Sequence, residues 1–406
     1  MLKKIKIQDL RLGMYIHEIC GSWMEHPFWK KSFKLTAQKD LDTLGSCGIT
    51  ELWIDSAKGR DVDSLAETVT TDNHNTRLET ALLRIAGHKD TPEPAAKVSM
   101  RDELARARKV HAKAKQAVIA MFTEARMGNA IKVEEAAALV DEINQSIARN
   151  SDALLSLARL KNADDYTYLH SVAVCALMIA LGRQLGRDEK LSKEIGVAGL
   201  LHDVGKMFIP GEVLNKPGRL TDEEFATIKA HPRLGWEFLK NSSGVNAITL
   251  DVCLHHHERV DGNGYPERLS GEALTLFARM GAVCDVYDAI TSTRCYKAGW
   301  EPAESIRKMA EWKDGHFDEK IFQAFVKTVG IYPTGTLVKL KTGRLGVVVE
   351  QTQDNLLAPI IRVFFSTRSK SHIMQELVDL SKSTDAISNL EDPRKWGFDK
   401  SKIAVP

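Results

Sequence analysis

Short runs that alternate between apolar and charged residues mark the beginning of the chain. Lys4-Ile5-Lys6-Ile7 and Glu51-Leu52-Trp53-Ile54-Asp55 have the period of β-strands, and residues 35–47 have the spacing of a helix. Residues 1–60 are therefore predicted to form a small α+β regulatory module. Residues 61–99 are polar and include Thr91-Pro92-Glu93-Pro94, a composition that is typical of a linker.

A helical pattern dominates residues 100–330. Apolar residues recur every three or four positions in 100–127 and again in 133–161, so each segment is predicted to be an amphipathic helix. Further helices are predicted at 164–185, 192–204, 222–240 and 319–329. The two leading helices can pack on the region that follows or pair with a second subunit, and the pattern alone does not decide between these arrangements.

The pattern changes once more after residue 330. Residues 336–340, 346–351 and 360–365 are β-branched or aromatic runs separated by glycine and polar turns. A small β module is therefore predicted at 331–385, and residues 386–406 are expected to form a loosely held tail. The predicted fold class is mainly α, with an all-helical domain flanked by a small N-terminal α+β module and a small C-terminal β module.

Composition excludes several classes of function. Among 406 residues the formal net charge is only +2, so a general DNA-binding protein is not expected. None of the six cysteines forms a Cys-x-x-Cys pair, which favours reduced thiols in a cytosolic protein. The longest strongly apolar run, Val172 to Leu181, is too short to span a bilayer. A cytoplasmic protein without a membrane segment is predicted.

Histidines are concentrated in the helical region. Six of the 13 fall between residues 170 and 257, and three of these are consecutive, at 255–257. A single histidine in an apolar helix is usually a hydrogen-bonded core residue, and histidines before a polar turn can be solvated surface residues. Burying several together is costly unless something shares their lone pairs, and a metal centre does so. The sequence therefore predicts a metal site.

The adjacent pair His202-Asp203 indicates the extent of this site. Neighbouring residues on a helix point about 100° apart, so both can serve one site only if it is extended, for example two metals with the carboxylate between them. Histidine and carboxylate donors without thiolate favour Fe, Mn, Ni or Zn over a structural zinc cage.

Two motifs identify a family resemblance. His202-Asp203-x-Gly205-Lys206, followed by His256-His257-Glu258-x-x-Asp261-Gly262-x-Gly264-Tyr265-Pro266, resembles the HD-GYP domain of the HD superfamily of metal-dependent phosphohydrolases. The resemblance covers about 155–330 and implies an HD-type helical fold. It also implies hydrolysis of cyclic di-GMP to linear pGpG or GMP through a hydroxide that bridges two metals. Residues 1–60 resemble the domain of unknown function often found ahead of HD-GYP domains.

The resemblance also implies a role for particular residues. The implied metal ligands are His170, His202, Asp203, His231, His256, His257 and Asp285, with Asp203 bridging. Asp203 and Lys206 are the implied catalytic residues, and the implied substrate contacts are Lys206, Tyr265, Asp288, Arg294 and Lys297. Some members hold a third metal with a Glu one helical turn before the first histidine, where this chain has Tyr166. Two divalent ions, Fe or Mn with Ni or Zn as alternatives, are therefore expected.

Two other functions are compatible with parts of this pattern. An HD-type nucleotidase acting on another guanine nucleotide would share His202 and Asp203, but it has no need of the Gly-Tyr-Pro turn. A degenerate domain could bind cyclic di-GMP and act through partners, but the ligand set is complete. The expected partners are cyclic di-GMP, a second copy of the chain through helices 100–160, and signalling proteins through residues 1–60.

Overall fold

The structure is a computed structural model, and it divides the chain into two compact units, Met1–Leu83 with Pro210–Ile228, and Arg84–Ile209 with Lys229–Pro406. It describes residues 2–19, 32–46, 49–62, 69–70, 80, 82, 84–85, 98–158, 166–216, 218, 220–292, 299–352 and 355–398. Arg294 and Lys297 lie outside the described residues, as do Asp164 and Asp165.

The described secondary structure is mostly helical. The helices are α1 Gln38–Ser46, α2 Met100–Arg126, α3 Val133–Ala158, α4 Tyr166–Gln184, α5 Glu189–Leu201, α6 Gly211–Leu214, α7 Asp222–Lys229, α8 His231–Lys240, α9 Ala247–His255, α10 Leu276–Thr291, α11 Pro302–His316 and α12 Glu319–Val329. The strands are β1 Leu2–Lys6, β2 Tyr15–Ile19, β3 Phe33–Lys34, β4 Glu51–Asp55, β5 Val69–Thr70, β6 Leu337–Leu340, β7 Arg344–Glu350, β8 Ile360–Ser366, β9 Ser371–Asp379 and β10 Ile387–Leu390. This confirms the predicted mainly α class.

The first unit is built on an antiparallel sheet in the order β3-β2-β4-β1-β5. The two alternating runs that predicted strands pair with each other, and Ile5 lies opposite Leu52. Both side chains are buried, together with Leu44 of α1, so one face of the sheet covers a small core. This is the predicted small α+β module.

Helix α4 is the centre of the second unit. Its residues from Leu169 to Gly182 are buried on every side, as expected of a helix that is apolar all round. By length and composition alone, α4 is the one helix of the described chain that could cross a membrane, and 78% of the qualifying window is buried within the protein.

The leading helices α2 and α3 pack within the same chain. Val118 and Phe122 of α2 are fully buried and belong to one core cluster with Val140 of α3 and Val172 of α4. The same cluster includes Met207, which directly follows the predicted motif at residues 202–206. The predicted apolar stripes are thus covered by the helices of their own chain.

One predicted helix is divided in two. The segment 222–240 forms α7 and α8, and the second begins at His231 with Pro232 in its first turn. Proline fits the first turn of a helix, where its missing amide hydrogen is not needed, but it interrupts a continuing one. The break fixes the position of His231 at a helix start.

The C-terminal module is an antiparallel sheet in the order β10-β6-β7-β8-β9. Part of the expected tail takes part in it, because β10 pairs with β6 and both Ile387 and Leu390 pack against the core of the module. The ladder shifts register between Ile387 and Asn389, and such a bulge breaks the period-two alternation that identifies a strand in a sequence.

A bend in α3 joins the β module to the helices. Asn150 has a non-helical backbone, and its side-chain amide donates to the carbonyl of Val98 at 3.0 Å. Two residues later, the buried Asp152 accepts hydrogen bonds from the amide of Gln351 at 3.1 Å and from the hydroxyl of Thr334 at 3.4 Å. These polar contacts fix the β module on the helix that packs beside α4.

Candidate metal centre

Five helices bring the predicted ligands together in the second unit. His170 lies in the first turns of α4, His202 and Asp203 follow α5, His231 begins α8, and Asp285 lies within α10. His255 ends α9, and His256 and His257 follow it directly. All seven predicted ligands are buried, and the most exposed of them, His257, is only 8% exposed. The centre is therefore built from five helices, and of its predicted ligands only Asp285 lies in the interior of a helix.

The ligand atoms form two groups. His170, His202 and Asp285 make one group, and Asp203, His231, His256 and His257 make the other, with the ligand atoms of each group within 4.8 Å of one another. Each group could hold a cation. The arrangement is compatible with the extended site that the His202-Asp203 pair predicted.

Asp203 lies between the two groups. Its Oδ2 is 3.3 Å from His170 Nε2 and 3.4 Å from His202 Nε2. Its Oδ1 is 3.1 Å from His231 Nε2 and 3.7 Å from His256 Nε2. One oxygen thus faces each group, which is the arrangement that a bridging carboxylate requires.

Hydrogen bonds on the far side of the rings fix their orientation. His202 Nδ1 lies 2.8 Å from the carbonyl oxygen of Gly199, and His256 Nδ1 lies 3.0 Å from that of Val252. A carbonyl can only accept, so each Nδ1 carries a hydrogen, and Nε2 is the nitrogen that could bind a cation. Both rings therefore direct Nε2 toward the centre.

Several inward-facing atoms have no hydrogen-bond partner among the residues that the structure describes. These buried atoms are His170 Nε2, His202 Nε2, Asp203 Oδ1, His257 Nε2 and Asp285 Oδ2. His170 Nε2 is 2.9 Å from Asp285 Oδ1, but the contact lacks the geometry of a hydrogen bond. Buried polar atoms are rarely left without partners, so converging lone pairs of this kind fit divalent cations.

The charges of the centre also fit cations. Burial opposes ionisation of Asp203, but the positive charges of Lys206 and His202 hold its pKa well below its ordinary value. Burial likewise disfavours a charged His202, yet the two carboxylates raise the pKa of this imidazole to about 10. By contrast, burial lowers the pKa of His256 to about 4. The ionised carboxylates of Asp203 and Asp285 therefore require positive charge nearby. A metal ion can supply this charge in place of a proton on a histidine.

Lys206 is the last residue of the motif that begins with His202 and Asp203. It lies on the 3-10 helix Val204–Phe208, and its ammonium is 2.5 Å from Asp203 Oδ2. Its side chain is 16% exposed, so the charge is held at the edge of the centre and not within it. The contact with a phosphoryl oxygen expected of Lys206 remains a prediction, whereas the contact that the structure gives it is with Asp203.

The segment that carries Lys206 lies very close to α8. A Cβ atom at Gly205 would be 1.9 Å from the carbonyl oxygen of His231 and 2.6 Å from the amide nitrogen of Gly235. Real side chains do not approach backbone so closely, so only glycine fits. The contact sets His231 opposite Asp203.

Asp288 lies behind the centre. Its Oδ2 accepts a hydrogen bond from His170 Nδ1 at 2.6 Å, and it is 2% exposed. A carboxylate in this place orients the histidine and increases its basicity as a ligand. The substrate contact expected of Asp288 remains a prediction, whereas the contact that the structure gives it is with a ligand.

We expect Asp288→Asn to weaken metal binding by about 10–100-fold, because the amide keeps an acceptor for His170 but loses the charge. Metal titration of the apoprotein measures the effect. Asp251→Asn is the matched control, since Asp251 makes a similar contact at 2.8 Å with His255, which is not a ligand. Equal metal affinity in the two variants would contradict this role.

His255 faces away from the metal groups. Its Nδ1 contacts Asp251, and its Nε2 lies 3.3 Å from Glu267 Oε2. The structure thus separates the three consecutive histidines, with two inside and one outside, as the motif implied.

Glu258 organises the loop that carries the Gly-Tyr-Pro motif. Its Oε1 accepts a hydrogen bond from the amide of Glu267 at 2.6 Å, and the side chain is 2% exposed. A Cβ atom at Gly264 would lie 2.4 Å from the Cα of Glu258, so the loop folds directly over this residue. Sequence reasoning did not assign Glu258 a role, because a carboxylate after two metal ligands is indistinguishable from a solvated one.

The folded loop places Tyr265 on a metal ligand. The amide of Tyr265 donates to the carbonyl of His257 at 3.2 Å, and the two rings stack with centroids 4.7 Å apart. The Nζ of Lys229 lies over the tyrosine ring, 5.3 Å from its centroid. Nothing in the sequence pattern indicated Lys229.

Tyr166 lies on the same face of α4 as His170. Its ring stacks on the imidazole with centroids 5.5 Å apart and planes 13° apart. The position at which some HD-GYP proteins have a carboxylate is thus occupied by an aromatic ring beside the first ligand.

Comparison with known proteins agrees with this geometry. Residues 2–136 match the model of a domain of unknown function, DUF3391, and residues 138–321 match the model of the HD domain. A cyclic di-GMP phosphodiesterase of Pseudomonas aeruginosa is 52% identical over 401 residues, which make up 98% of this chain and 94% of that protein.

Two further relatives each match a little under half of the chain. The cyclic di-GMP phosphodiesterase response regulator RpfG of Xanthomonas campestris pv. campestris is 37% identical over 47% of this chain and 50% of its own length. The 3'3'-cGAMP-specific phosphodiesterase 1 of Vibrio cholerae is 33% identical over 44% of this chain and 41% of its own length. With a close relative over nearly its whole length and both motifs in place, the chain belongs to the HD-GYP family of cyclic di-GMP phosphodiesterases.

Proposed function

We propose that this protein is a metal-dependent phosphodiesterase that hydrolyses cyclic di-GMP to linear pGpG, GMP or both. The observation that carries the proposal is the buried pair of ligand groups that share Asp203. The Pseudomonas aeruginosa relative supports the choice of substrate, because its similarity extends through the N-terminal module as well as the catalytic helices.

The centre is proposed to hold two divalent cations. His170, His202 and Asp285 would hold one, and His231, His256 and His257 would hold the other, with Asp203 shared. The donors are imidazole and carboxylate, which suits Fe or Mn, with Ni and Zn as alternatives. When bound, such ions lower the pKa of a coordinated water and withdraw charge from phosphoryl oxygens.

The chain's own residues have separate tasks in this reaction. Asp203 remains ionised at neutral pH and can accept a hydrogen bond from the attacking water, which orients it. Lys206 can donate from its ammonium to a non-bridging phosphoryl oxygen or to the leaving oxygen. Tyr265 covers His257 and excludes water from that side of the centre. Arg294 and Lys297 remain predicted contacts of the dinucleotide.

We expect two metal ions per chain at saturation. A phenol has an unperturbed pKa of about 10, so Tyr166 is a poor substitute for a carboxylate beside a third cation at neutral pH. Elemental analysis of protein purified without chelator measures the ratio. A ratio of three that falls to two in Asp165→Ala would show that the neighbouring aspartate replaces the missing carboxylate, contrary to this prediction.

The substrate assignment is tested by incubating metal-reconstituted protein with cyclic di-GMP and separating the products. Cyclic GMP-AMP and guanosine tetraphosphate are compared under the same conditions. Preferential hydrolysis of cyclic di-GMP is expected. Faster hydrolysis of guanosine tetraphosphate would favour the nucleotidase alternative, and tight binding of cyclic di-GMP without products would favour the effector alternative.

A further inference from the structure

A lysine outside both sequence motifs lies at the edge of the metal centre. Lys229 Nζ is 5.3 Å from the centroid of the Tyr265 ring, and that ring stacks at 4.7 Å on His257. Together, these two distances set the maximum separation between the Lys229 ammonium and the centroid of the His257 ring. Lys229 ends α7 and is half-buried, two residues before the ligand His231.

We infer that Lys229 binds the phosphate of the cyclic dinucleotide that does not react. The inference rests on the proposed function, because a cyclic dinucleotide carries a second anionic phosphodiester across its ring. The reacting phosphate has the two ligand groups and Lys206 beside it. The other phosphate is a second anion across the ring of the dinucleotide, and the Lys229 ammonium is a cation near the centre, over the tyrosine ring that stacks on His257.

The contact between the Lys229 ammonium and the Tyr265 ring can be exchanged for a contact with a phosphate. A cation–π contact at a partly exposed site is weaker than a charge-assisted hydrogen bond from an ammonium to a phosphate oxygen. The lysine side chain has a flexible four-carbon stem, so the ammonium can leave the ring without movement of the backbone. Substrate binding therefore draws Lys229 from Tyr265 to the phosphate.

This assignment also defines the part played by Tyr265. With His257 stacked on it and Lys229 over it, the ring supports a predicted ligand and holds the lysine near the centre before substrate binds. Tyr265 then acts as a positioning residue for Lys229 and for His257.

Substitution of the lysine in the full-length, metal-loaded protein tests the inference. Lys229→Met keeps most of the side-chain volume and removes the charge, and Lys229→Arg restores a cation. Lys240→Met is the matched control, since Lys240 makes a similar contact at 4.7 Å with the ring of Trp236 on α8. Two substrates are compared, cyclic di-GMP and bis(p-nitrophenyl) phosphate, which has a single phosphodiester and no second anion.

We expect Lys229→Met to raise KM for cyclic di-GMP by about tenfold and to lower the ratio of the two kcat/KM values by a similar factor. Lys229→Arg should recover most of this loss, and Lys240→Met should match the wild type. An equal fall of kcat/KM for both substrates would show a structural role and overturn the inference.

Competition by cyclic di-AMP separates phosphate contact from base contact. A phosphate contact predicts that Lys229→Met weakens inhibition by cyclic di-AMP as much as it raises KM for cyclic di-GMP. A loss confined to cyclic di-GMP would assign Lys229 to the guanine base and overturn the inference. A wild-type protein that hydrolyses bis(p-nitrophenyl) phosphate but not cyclic di-GMP would instead refute the proposed function, and the inference with it.

Discussion

Replacing both His202 and Asp203 by alanine is expected to abolish turnover of cyclic di-GMP, by ~10³-fold or more. The double substitution removes a ligand of the first group and the carboxylate shared by both. The fold should persist, because two ligands and no core apolar side chains are lost. Product analysis measures the activity, and circular dichroism measures the helix content.

The control for this experiment is His255→Ala. His255 belongs to the same run of histidines, but its contacts are with Asp251 and Glu267, away from the centre. We expect its activity to remain within ~3-fold of the wild type, as for most substitutions outside a site. Hydrolysis at the wild-type rate by the His202 and Asp203 double variant would refute the assignment of the centre.

Gly205→Ala is expected to have the second largest effect. The added methyl group would clash with the backbone of His231 and Gly235. Backbone atoms cannot rotate away from the clash as the end of a flexible side chain can. The backbone must shift, at a cost of about 3 kcal/mol of unfolding free energy, and His231 must move away from Asp203. A fall in melting temperature of about 5–10 °C is expected, together with loss of bound metal.

Gly211→Ala is the matched control for this prediction, because no described residue, apart from the chain neighbours and helix backbone of Gly211 itself, lies within 4 Å of the position that its Cβ would take. Its melting temperature and metal content should match those of the wild type. A Gly205→Ala variant with full metal content and activity would show that the approach of this segment to α8 is not required.

The candidate metal centre could be predicted from sequence because His202, Asp203, His256 and His257 lie in two recognisable motifs, and the family resemblance implied the other three ligands. The adjacency of His202 and Asp203 was sufficient to predict an extended site. In the structure the oxygens of Asp203 face different ligand groups. The chemistry of the donors was also accessible, since histidine and carboxylate side chains without thiolate define a class of metals.

The contacts that support the ligands could not be predicted in this way. Asp288 contacts His170 across 118 positions of the chain, and no local pattern records such a pairing. Lys229 and Tyr265 meet only because the break before Pro232 and the folded loop bring them together. Strand β10 was missed for a different reason, since the register shift at Ile387 removes the alternation by which a strand is recognised.

The burial of α2 has a consequence for how such proteins can be recombined. The match to the N-terminal family model extends to residue 136 and so includes α2, yet Val118, Phe122 and Ala125 are fully buried in the cluster that contains Met207. The end of the N-terminal family match, at residue 136, therefore does not coincide with the boundary of the folded unit, which lies before α2. A chimaera that exchanges the N-terminal module at residue 136 would replace part of the catalytic core, whereas a junction just before α2 would keep the native helix with its own neighbours.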